Sequence, residues 1–414
     1  MKLPAGKTGK IWGERMNNIT GSAKTAAVIG FKLTEEQEMI RQMTADFADN
    51  EIKPFVGEWD KKEHTPMDVL DKMYELGLTN IGVPSEYGGM ELDNVTRYIV
   101  ADEIAQRDAG LATTIVASSL LATDPIMVAA NDEQKKWWFG RMMEGAMCAF
   151  CLTEPNAGSD ALGMSMKCTK DGDDWILNGV KQFITNGPFA KQFTVFATKD
   201  RSLGNKGICC FMVDRDFPGV KIGNKEDKLG IRISSTSEVI FEDVRVPGWM
   251  CIGGEGQGAP VLMETLDYSR TAVAAMGTGI STAALNFSIE YANDRKQFGK
   301  PISSFQAIQF MLADMAATTE ASRLLYLKAA WLQDNGLPFK MASNIAKMYS
   351  ADAAMKNSID AVQIYGGYGY SKEYPVEKLM RDAKIMQIFE GTVQVQRMVI
   401  GKYLSTEGKY TYTY

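Results

Sequence analysis

The hydrophobic period of this chain changes twice, first near residue 146 and again near residue 261. Apolar residues from Met39 onward recur at the spacing of a helix. Short runs rich in β-branched and aromatic residues then alternate with turn signals such as DGDD and NGP, which is typical of strands. The chain is therefore predicted to contain an N-terminal α domain at 31–146, a middle β domain at 147–260 and a C-terminal helical domain at 261–405, flanked by an extension at 1–30 and a tail at 406–414.

Two local signals mark the starts of helices. Thr34 is followed three residues later by Gln37, which is the spacing of a capping box. Asp124 precedes Pro125, and aspartate at the N-cap with proline at the first helical position is a strong helix start. We therefore interpret Asp124 as a helix cap. A second carboxylate in a ligand pocket is the alternative.

Charge and residue types exclude several function classes. The 45 basic and 51 acidic residues leave a net charge of −6, whereas nucleic-acid binding needs a basic surface. His64 is the only histidine, which rules out a histidine-rich metal site, and the C-x-x-C formed by Cys148 and Cys151 has no second pair. No metal is predicted. No run approaches 18 consecutive apolar residues, so no transmembrane segment is expected.

The segment 1–30 is basic, with five lysines and arginines against one glutamate. It lacks an apolar core followed by small residues, so it does not resemble a secretory signal. A mitochondrial transit peptide would contain more arginine and serine. We therefore predict a surface extension, and the six cysteines, interpreted as reduced buried thiols, favour the cytoplasm over the mitochondrial matrix.

The single histidine lies in the polar stretch DKKEHTP, which does not suggest a catalytic site. We therefore expect carboxylates to carry any acid–base chemistry in this chain. Two glutamates stand out: Glu154 in LTEPNAGSD and Glu390 in IFEGT. Glu390 is flanked by Ile388, Phe389 and Gly391, so an apolar setting could raise the pKa of its carboxyl group.

Six motifs stand in a fixed order along the chain: CLTEPNAGSD (151–160), FITNG (183–187), DRKQFGKPI (294–302), QIYGGYGY (363–370), EYPVEKLMRDAKI (373–385) and IFEGT (388–392). With them the chain resembles the flavin-dependent acyl-CoA dehydrogenase family from about Phe31 to Tyr403. The resemblance implies that family's fold: an N-terminal all-α domain, a middle β-barrel-like domain and a C-terminal four-helix bundle.

The resemblance implies FAD as cofactor and α,β-dehydrogenation of an acyl-CoA thioester in fatty or other carboxylic acid catabolism. A base removes the α-proton, a hydride passes from the β-carbon to flavin N5, and electrons go on to electron-transfer flavoprotein. Glu390 matches the family's base. Some members carry the base on an earlier helix, but Ser269 stands there in this chain, and serine cannot do that work.

The positions that match the family's flavin contacts are Leu152, Thr153, Ser159, Phe183, Ile184, Thr185, Arg295, Gln306, Gln363, Gly366, Gly367, Thr392 and Gln394. Phe183 stands where the family usually has tryptophan. Arg295, Gln306 and QIYGG match positions that reach the FAD of a neighbouring subunit, which implies an oligomer, typically a homotetramer. The implied substrate contacts are Ser159, Asp267, Arg270 and Gly391, with a simple intrahelical ion pair as the alternative for Asp267 and Arg270.

The expected substrate is a short-chain, branched or cyclic acyl-CoA. In relatives the acyl pocket is lined by the helix that matches 112–125, where small residues dominate, and Tyr365 could close that pocket. A glutaryl-CoA-like dehydrogenase for dicarboxyl acyl groups is an alternative, although the arginine expected for the distal carboxylate is absent from AGLAT. An acyl-CoA oxidase and a non-enzymatic flavin- or CoA-binding protein stay open as well.

Overall fold

The computed structural model describes residues 32–407. The predicted basic extension at 1–30 and the last seven residues of the predicted tail lie outside the described residues. By its internal contacts the chain divides into two units, Met1–Glu38 and Met39–Tyr414, and the second contains every site discussed below. At the start of the first helix, Thr34 N donates to Gln37 Oε1 and Gln37 N donates to Thr34 Oγ1, both at 3.1 Å. The predicted capping box is confirmed.

Helices come first along the described part of the chain. They are α1 (Glu35–Glu51), α2 (Val56–Lys62), α3 (Met67–Glu75), α4 (Asn94–Ala105), α5 (Ala109–Val116), α6 (Asp124–Ala129) and α7 (Asp132–Met142), with a π-helical turn at Ala117–Leu121.

The prediction that Asp124 caps a helix is wrong. Helix α6 begins at Asp124 itself, and the residue before it, Thr123, is already helical at φ −94° and ψ −29°. No side chain in the described part of the chain caps this helix. The residues between the π-helical turn at Ala117–Leu121 and α6 keep helical backbone angles. An N-cap residue usually has an extended backbone, so no residue here has the conformation of a cap.

The middle of the chain is a single eight-stranded sheet. Its strands are β1 (Cys148–Cys151), β2 (Lys167–Asp171), β3 (Asp174–Thr185), β4 (Gln192–Thr198), β5 (Ile208–Asp214), β6 (Val220–Lys225), β7 (Thr236–Val246) and β8 (Cys251–Ile252). The order is β6-β7-β3-β2-β4-β5-β8, and β1 pairs with β4 in parallel. Strand β4 is buried along its whole length, as its run of β-branched and aromatic residues predicts.

The last part of the chain is helical again, apart from a short two-stranded hairpin at 296–301. Its helices are α8 (Gly258–Asp294), α9 (Gln306–Asp334), α10 (Lys340–Tyr365), α11 (Val376–Met386) and α12 (Val393–Glu407). Helix α8 starts three residues before the predicted change of period. It packs closely against α4, because a Cβ atom at Gly279 would lie 2.5 Å from the carbonyl oxygen of Asp102.

Two helical stretches, Ala109–Ala129 and Gly258–Asp294, have the length and mean hydropathy that a membrane span needs. However, 83% of the first apolar window and 72% of the second are buried inside the protein. Core helices of folded domains have the same character, so this is weak evidence for a membrane segment.

A buried ion cluster joins the three structural regions. Lys378 Nζ on α11 donates to Asp108 Oδ2, at the start of α5, at 2.6 Å and to Asp382 Oδ2 at 2.5 Å. Asp382 Oδ1 accepts the backbone N–H of Ile231, between strands β6 and β7, at 2.5 Å. Part of the EYPVEKLMRDAKI motif therefore fastens the C-terminal helices to the rest of the fold.

Candidate active site

Glu390 lies in the short loop between α11 and α12, on unusual backbone. Its φ is +53°, and Gly391 follows with φ +84°. The left-handed region costs a non-glycine residue roughly 1–2 kcal/mol. Gln396 Nε2 donates to the carbonyl oxygen of Glu390 at 3.1 Å, and Lys347 Nζ donates to that of Gly391 at 2.6 Å. These bonds hold the loop in the conformation that aims the Glu390 side chain.

The Glu390 carboxylate sits in a partly desolvated, hydrogen-bonded setting. Ser269 Oγ, on α8, donates to Glu390 Oε2 at 2.8 Å. Burial raises the pKa of Glu390 above its usual range, while the Ser269 hydrogen bond and the charges of Arg270 and Lys347 act in the opposite direction. This is the environment that a carboxylate general base needs.

Ser269 and Lys347 are two neighbours of Glu390 that the sequence did not predict. Ser269 attracted notice only because it stands where some relatives carry the base, and its hydrogen bond to a residue 121 positions away has no local signal. Lys347 is fully buried on α10, and burial lowers the pKa of its ammonium group to about 8. The sequence did contain one signal for this neighbour: Lys347 is a lysine in an alanine-rich helix, where a buried charged residue is unusual.

We expect Ser269→Ala to move the acid limb of the kcat/KM profile toward higher pH. The hydroxyl stabilises the ionised carboxylate, so its loss raises the pKa of Glu390 further, and the base is then lost at a higher pH as the pH falls. The high-pH plateau should fall by less than about tenfold, because the stronger base offsets part of the loss. The measurement is kcat/KM for an acyl-CoA across pH.

Ser281→Ala is the matched control, because this serine lies on the same helix, is buried, and has no hydrogen-bond partner at Oγ. Its acid limb should coincide with that of the unmodified protein. An unshifted limb in Ser269→Ala would show that the hydroxyl does not control the ionisation of Glu390.

Asp267 and Arg270 form the intrahelical pair that their spacing predicts. Arg270 Nη1 donates to Asp267 Oδ1 at 2.8 Å, and Lys340 Nζ lies 3.0 Å from Asp267 Oδ2. Arg270 Nε is buried without a partner. The pair lies beside Glu390, since the charge of Arg270 acts on the pKa of that residue. Their contact with the substrate stays a prediction.

Glu154 belongs to the structure of the loop that follows β1. Its Oε1 accepts from Lys181 Nζ at 2.8 Å, with both side chains buried, and its Oε2 accepts the backbone N–H of Ser165 at 2.7 Å. Burial opposes ionisation of Glu154, but Lys181 and the hydrogen bonds from Ser165 keep the pKa of its carboxyl group below the usual range. With its oxygens occupied, Glu154 is the weaker of the two candidate bases.

The structure brings the predicted flavin contacts of two motifs together. Gln182 N donates to the carbonyl oxygen of Thr153 at 2.8 Å, which joins the loop after β1 to the end of β3. Phe183 there has φ +58° and a side chain that is 60% exposed. The other predicted contacts of these two segments are Leu152 and Ser159, which follow β1, and Ile184 and Thr185 at the end of β3.

The hydroxyl groups of Thr153, Ser159 and Thr185 make no hydrogen bond within residues 32–407, and none of the three is buried. Free hydroxyls beside an exposed aromatic ring suit a ligand that is itself flat and rich in hydrogen-bonding groups. These residues therefore fit an isoalloxazine-type cofactor.

Arg295, Gly366 and Gly367 line a separate cavity of about 470 Å³ at the end of α8. The guanidinium of Arg295 stands 5.4 Å from the ring centre of Tyr368. Residues around Glu390 are absent from the lining of this cavity. A cation with exposed glycine backbone beside it suits a phosphate group.

Tyr365 also lines this cavity, where it stacks on Tyr291 with ring centres 3.9 Å apart. Tyr365 does not line the cavity at Ala112, where the sequence predicts the acyl pocket, so its role in closing that pocket stays a prediction. The turn at Gly366 directs Tyr365 back against α8, where its hydroxyl donates to the carbonyl oxygen of Phe287 at 3.1 Å.

Four predicted flavin contacts stand apart from these clusters. Gln306, Gln363 and Gln394 have exposed side chains at the start of α9, near the end of α10 and in the first turn of α12. Thr392 accepts the backbone N–H of Val395 at its Oγ1 at 3.1 Å, so it works as a helix cap. Contacts among residues 32–407 of one chain do not bring these side chains to the residues around Phe183 or to the cavity at Arg295.

Small residues of α5 and the π-helical turn line a narrow cavity of about 10 Å³. Ala112, Ile115, Val116, Ser119 and Leu120 form one side of it, and α4 supplies the other. Ser118 points elsewhere, because its Oγ accepts the backbone N–H of Cys148 at 2.9 Å. This is where the sequence predicts the acyl pocket.

No group of histidine, cysteine or acidic side chains in the described range 32–407 has the arrangement of a metal site. All six cysteines are free, and the C-x-x-C residues Cys148 and Cys151 are buried on β1. Burial raises the pKa of the Cys148 thiol to about 12. Such a thiol is unreactive.

Family models for the N-terminal, middle and C-terminal domains of acyl-CoA dehydrogenases match residues 34–146, 149–244 and 256–405. The chain belongs to the acyl-CoA dehydrogenase family. It is therefore an oxidoreductase with that family's fold, in which a middle β domain stands between two helical ones.

Relatives agree with this assignment. A short-chain-specific acyl-CoA dehydrogenase from Clostridium acetobutylicum is 44% identical over 89% of this chain and 98% of its own. The solved butyryl-CoA dehydrogenase from Megasphaera elsdenii is 43% identical with a TM-score of 0.89, over 91% of this chain and 100% of its own. A further solved chain comes from a structure titled for the electron-transferring flavoprotein of Acidaminococcus fermentans. It is 44% identical with a TM-score of 0.89, over 91% of this chain and 99% of its own.

Proposed function

We propose that this acyl-CoA dehydrogenase converts a short-chain, branched or cyclic acyl-CoA to the enoyl-CoA with Glu390 as the base. The observation that carries the proposal is the Glu390 carboxylate itself, partly buried on left-handed backbone and held by Ser269 at 2.8 Å. Relatives named for short-chain substrates support the substrate size.

FAD fits the residues present and is the cofactor. The free hydroxyls of Thr153, Ser159 and Thr185 beside exposed Phe183 suit the flavin ring, and Arg295 suits its diphosphate. When bound, FAD accepts the hydride that leaves the β-carbon. The remaining work belongs to the chain, which must bind the thioester, exclude water and take the α-proton.

Proton removal falls to Glu390 Oε1, because Oε2 accepts the hydrogen bond of Ser269. Burial makes the carboxylate a stronger base than it is in water, while the Ser269 hydrogen bond and the charges of Arg270 and Lys347 favour its ionised form. Excluding water also prevents the acidified α-carbon from exchanging its proton with solvent.

Aliphatic side chains crowd the region where the sequence predicts the acyl pocket, which supports short substrates. The cavity between α4 and α5 is narrow, and Leu78, Ile81, Ile104 and Ile115 restrict its width. Branched and cyclic acyl groups are the finer part of the proposal. The small side chains of Ala112 and Ser119 leave more room near the π-helical turn than larger residues would.

Electron-transfer flavoprotein is the proposed electron acceptor, and a homotetramer is the proposed assembly. The similarity to a chain solved in work on such a flavoprotein supports the first. The homotetramer is supported by the cavity at Arg295, which lies apart from Glu390 and would bind the FAD of a neighbouring subunit. We place the protein in the cytoplasm, which its six free cysteines support.

Two measurements test this function. Denaturing the purified protein should release FAD at about one per chain. Under anaerobic conditions a panel of CoA thioesters should bleach the flavin, with short acyl groups acting faster than long ones. A colourless protein that FAD cannot reconstitute, or a flavin that no thioester bleaches, would contradict the proposal.

A further inference from the structure

An ion pair borders the narrow cavity between α4 and α5, where the sequence predicts the acyl pocket. Arg97 on α4 lines the narrow cavity among aliphatic side chains, and Asp124 begins α6 next to it. Arg97 Nη2 and Asp124 Oδ1 are 3.8 Å apart, which is too long for a hydrogen bond. The two side chains are only 11% and 9% exposed.

Both partners carry polar atoms that no hydrogen bond within residues 32–407 satisfies. The Asp124 carboxylate makes no capping bond, and within residues 32–407 it accepts no hydrogen bond at all. Arg97 Nη1 donates to Asn94 Oδ1 at 3.1 Å, but among the described residues Nε is buried without a partner and Nη2 has no hydrogen-bond acceptor. A buried ion pair with unused donors and acceptors costs stability unless something satisfies them.

The pair shares its surroundings with the base. Asp124 lies close enough to Glu390 for their charges to interact, and burial together with that charge raises the pKa of Asp124 to about 7, with Arg97 opposing. The charges of both members of the pair also act on Tyr268, which precedes Ser269 on α8. The pair therefore lies within the range of charge–charge interaction from the proposed base, where the proposed acyl chain begins.

We propose that Arg97 and Asp124 form a polar subsite in the acyl pocket that binds a hydroxyl group carried by the acyl chain beyond its β-carbon. A hydroxyl both donates and accepts, so an oxygen placed to one side of the pair can donate to Asp124 Oδ1 and accept from Arg97 Nη2, which are 3.8 Å apart. A carboxylate in its place would bring a second negative charge against Asp124. This inference rests on the proposed dehydrogenation and names its substrate class.

The subsite determines specificity because an unsubstituted chain leaves both charged groups without a partner. Sites that hydrogen-bond a substrate hydroxyl strongly reject the analogue that lacks it. Asp124 and Arg97 do not touch the reacting carbons, so their effect falls on the choice between substrates.

The experiment compares three thioesters on the holoenzyme, with anaerobic flavin bleaching as the readout. 4-Hydroxybutyryl-CoA should exceed butyryl-CoA in kcat/KM by about tenfold or more, as expected for hydrogen bonds to buried charged groups. Glutaryl-CoA should be the poorest of the three. If butyryl-CoA bleaches the flavin at least as well as the hydroxy compound, the subsite proposal falls and the dehydrogenase proposal stands. If none of the three bleaches it, both fall.

Two substitutions locate the effect. Asp124→Leu and Arg97→Met should each lower the ratio of hydroxybutyryl to butyryl activity by about tenfold, mainly through KM. Asp124→Asn should keep part of the ratio, since an amide still pairs with a hydroxyl, and it guards against a folding defect in the leucine variant. Asp132→Asn is the control, because Asp132 also begins a helix but is exposed. A ratio that Asp124→Leu and Arg97→Met both leave unchanged, or glutaryl-CoA as the best substrate, would overturn the proposal.

Discussion

Glu390→Gln should lose turnover by about 100- to 10,000-fold, because a general base contributes that much to proton abstraction. Glutamine has nearly the same shape and can still accept the hydrogen bond from Ser269, so the loop between α11 and α12 should keep its conformation. The measurement is kcat with an acyl-CoA and an artificial electron acceptor, alongside FAD content and melting temperature, both of which should stay near those of the unmodified protein.

Glu373→Gln is the control for this change, because Glu373 is an exposed glutamate of the preceding motif. Its turnover should equal that of the unmodified protein. If Glu390→Gln retains more than about a tenth of the original rate, another group takes the proton, and Asp124 would be the next carboxylate to examine.

Lys181→Met should destabilise the protein by about 3–5 kcal/mol, the usual cost of leaving one partner of a buried ion pair uncompensated. Lys181 is fully buried, and its Nζ donates to Glu154 Oε1 at 2.8 Å and to the carbonyl oxygen of Leu152 at 2.9 Å. Since Leu152 and its neighbours are predicted flavin contacts, FAD retention should fall together with the melting temperature.

The double variant Lys181→Met with Glu154→Gln should regain part of the lost stability, because it leaves no unpaired charge in the interior. Lys199→Met serves as the matched control. Lys199 is a partly exposed lysine of the same β domain that pairs with Glu255, so its loss should change the melting temperature little. A single Lys181→Met variant as stable as the unmodified protein would show that this pair does not hold the loop.

Local patterns in the sequence were sufficient for the order of structural regions. Helical spacing, strand alternation and the capping box of Thr34 and Gln37 each depend on residues within a few positions of one another. Glu390 could also be chosen from its apolar neighbours and its motif. Its left-handed backbone could not, because φ +53° on glutamate is imposed by bonds from Lys347 and Gln396 to the loop carbonyls.

The errors and omissions share one cause. Asp124 before Pro125 has the local signature of a cap, but the π-helical turn before it left Thr123 already helical, and the carboxylate instead faces Arg97. Glu154 has an equally suggestive motif, yet Lys181 on another strand holds it. In both cases the deciding partner is distant in the sequence, so no local pattern could have revealed it.

The amino-acid sequence by itself determined the family, the succession of helical, β and helical regions, and the choice of Glu390 as candidate base, because each of these is carried by residue types at short, fixed spacing. Only the tertiary structure decided what surrounds that base. Ser269 reaches Glu390 across 121 residues and Lys347 approaches from a third helix. The pKa and orientation of a side chain depend on burial and on charges within a few ångströms, and those distances exist only after α8, α10 and the α11–α12 loop have packed together.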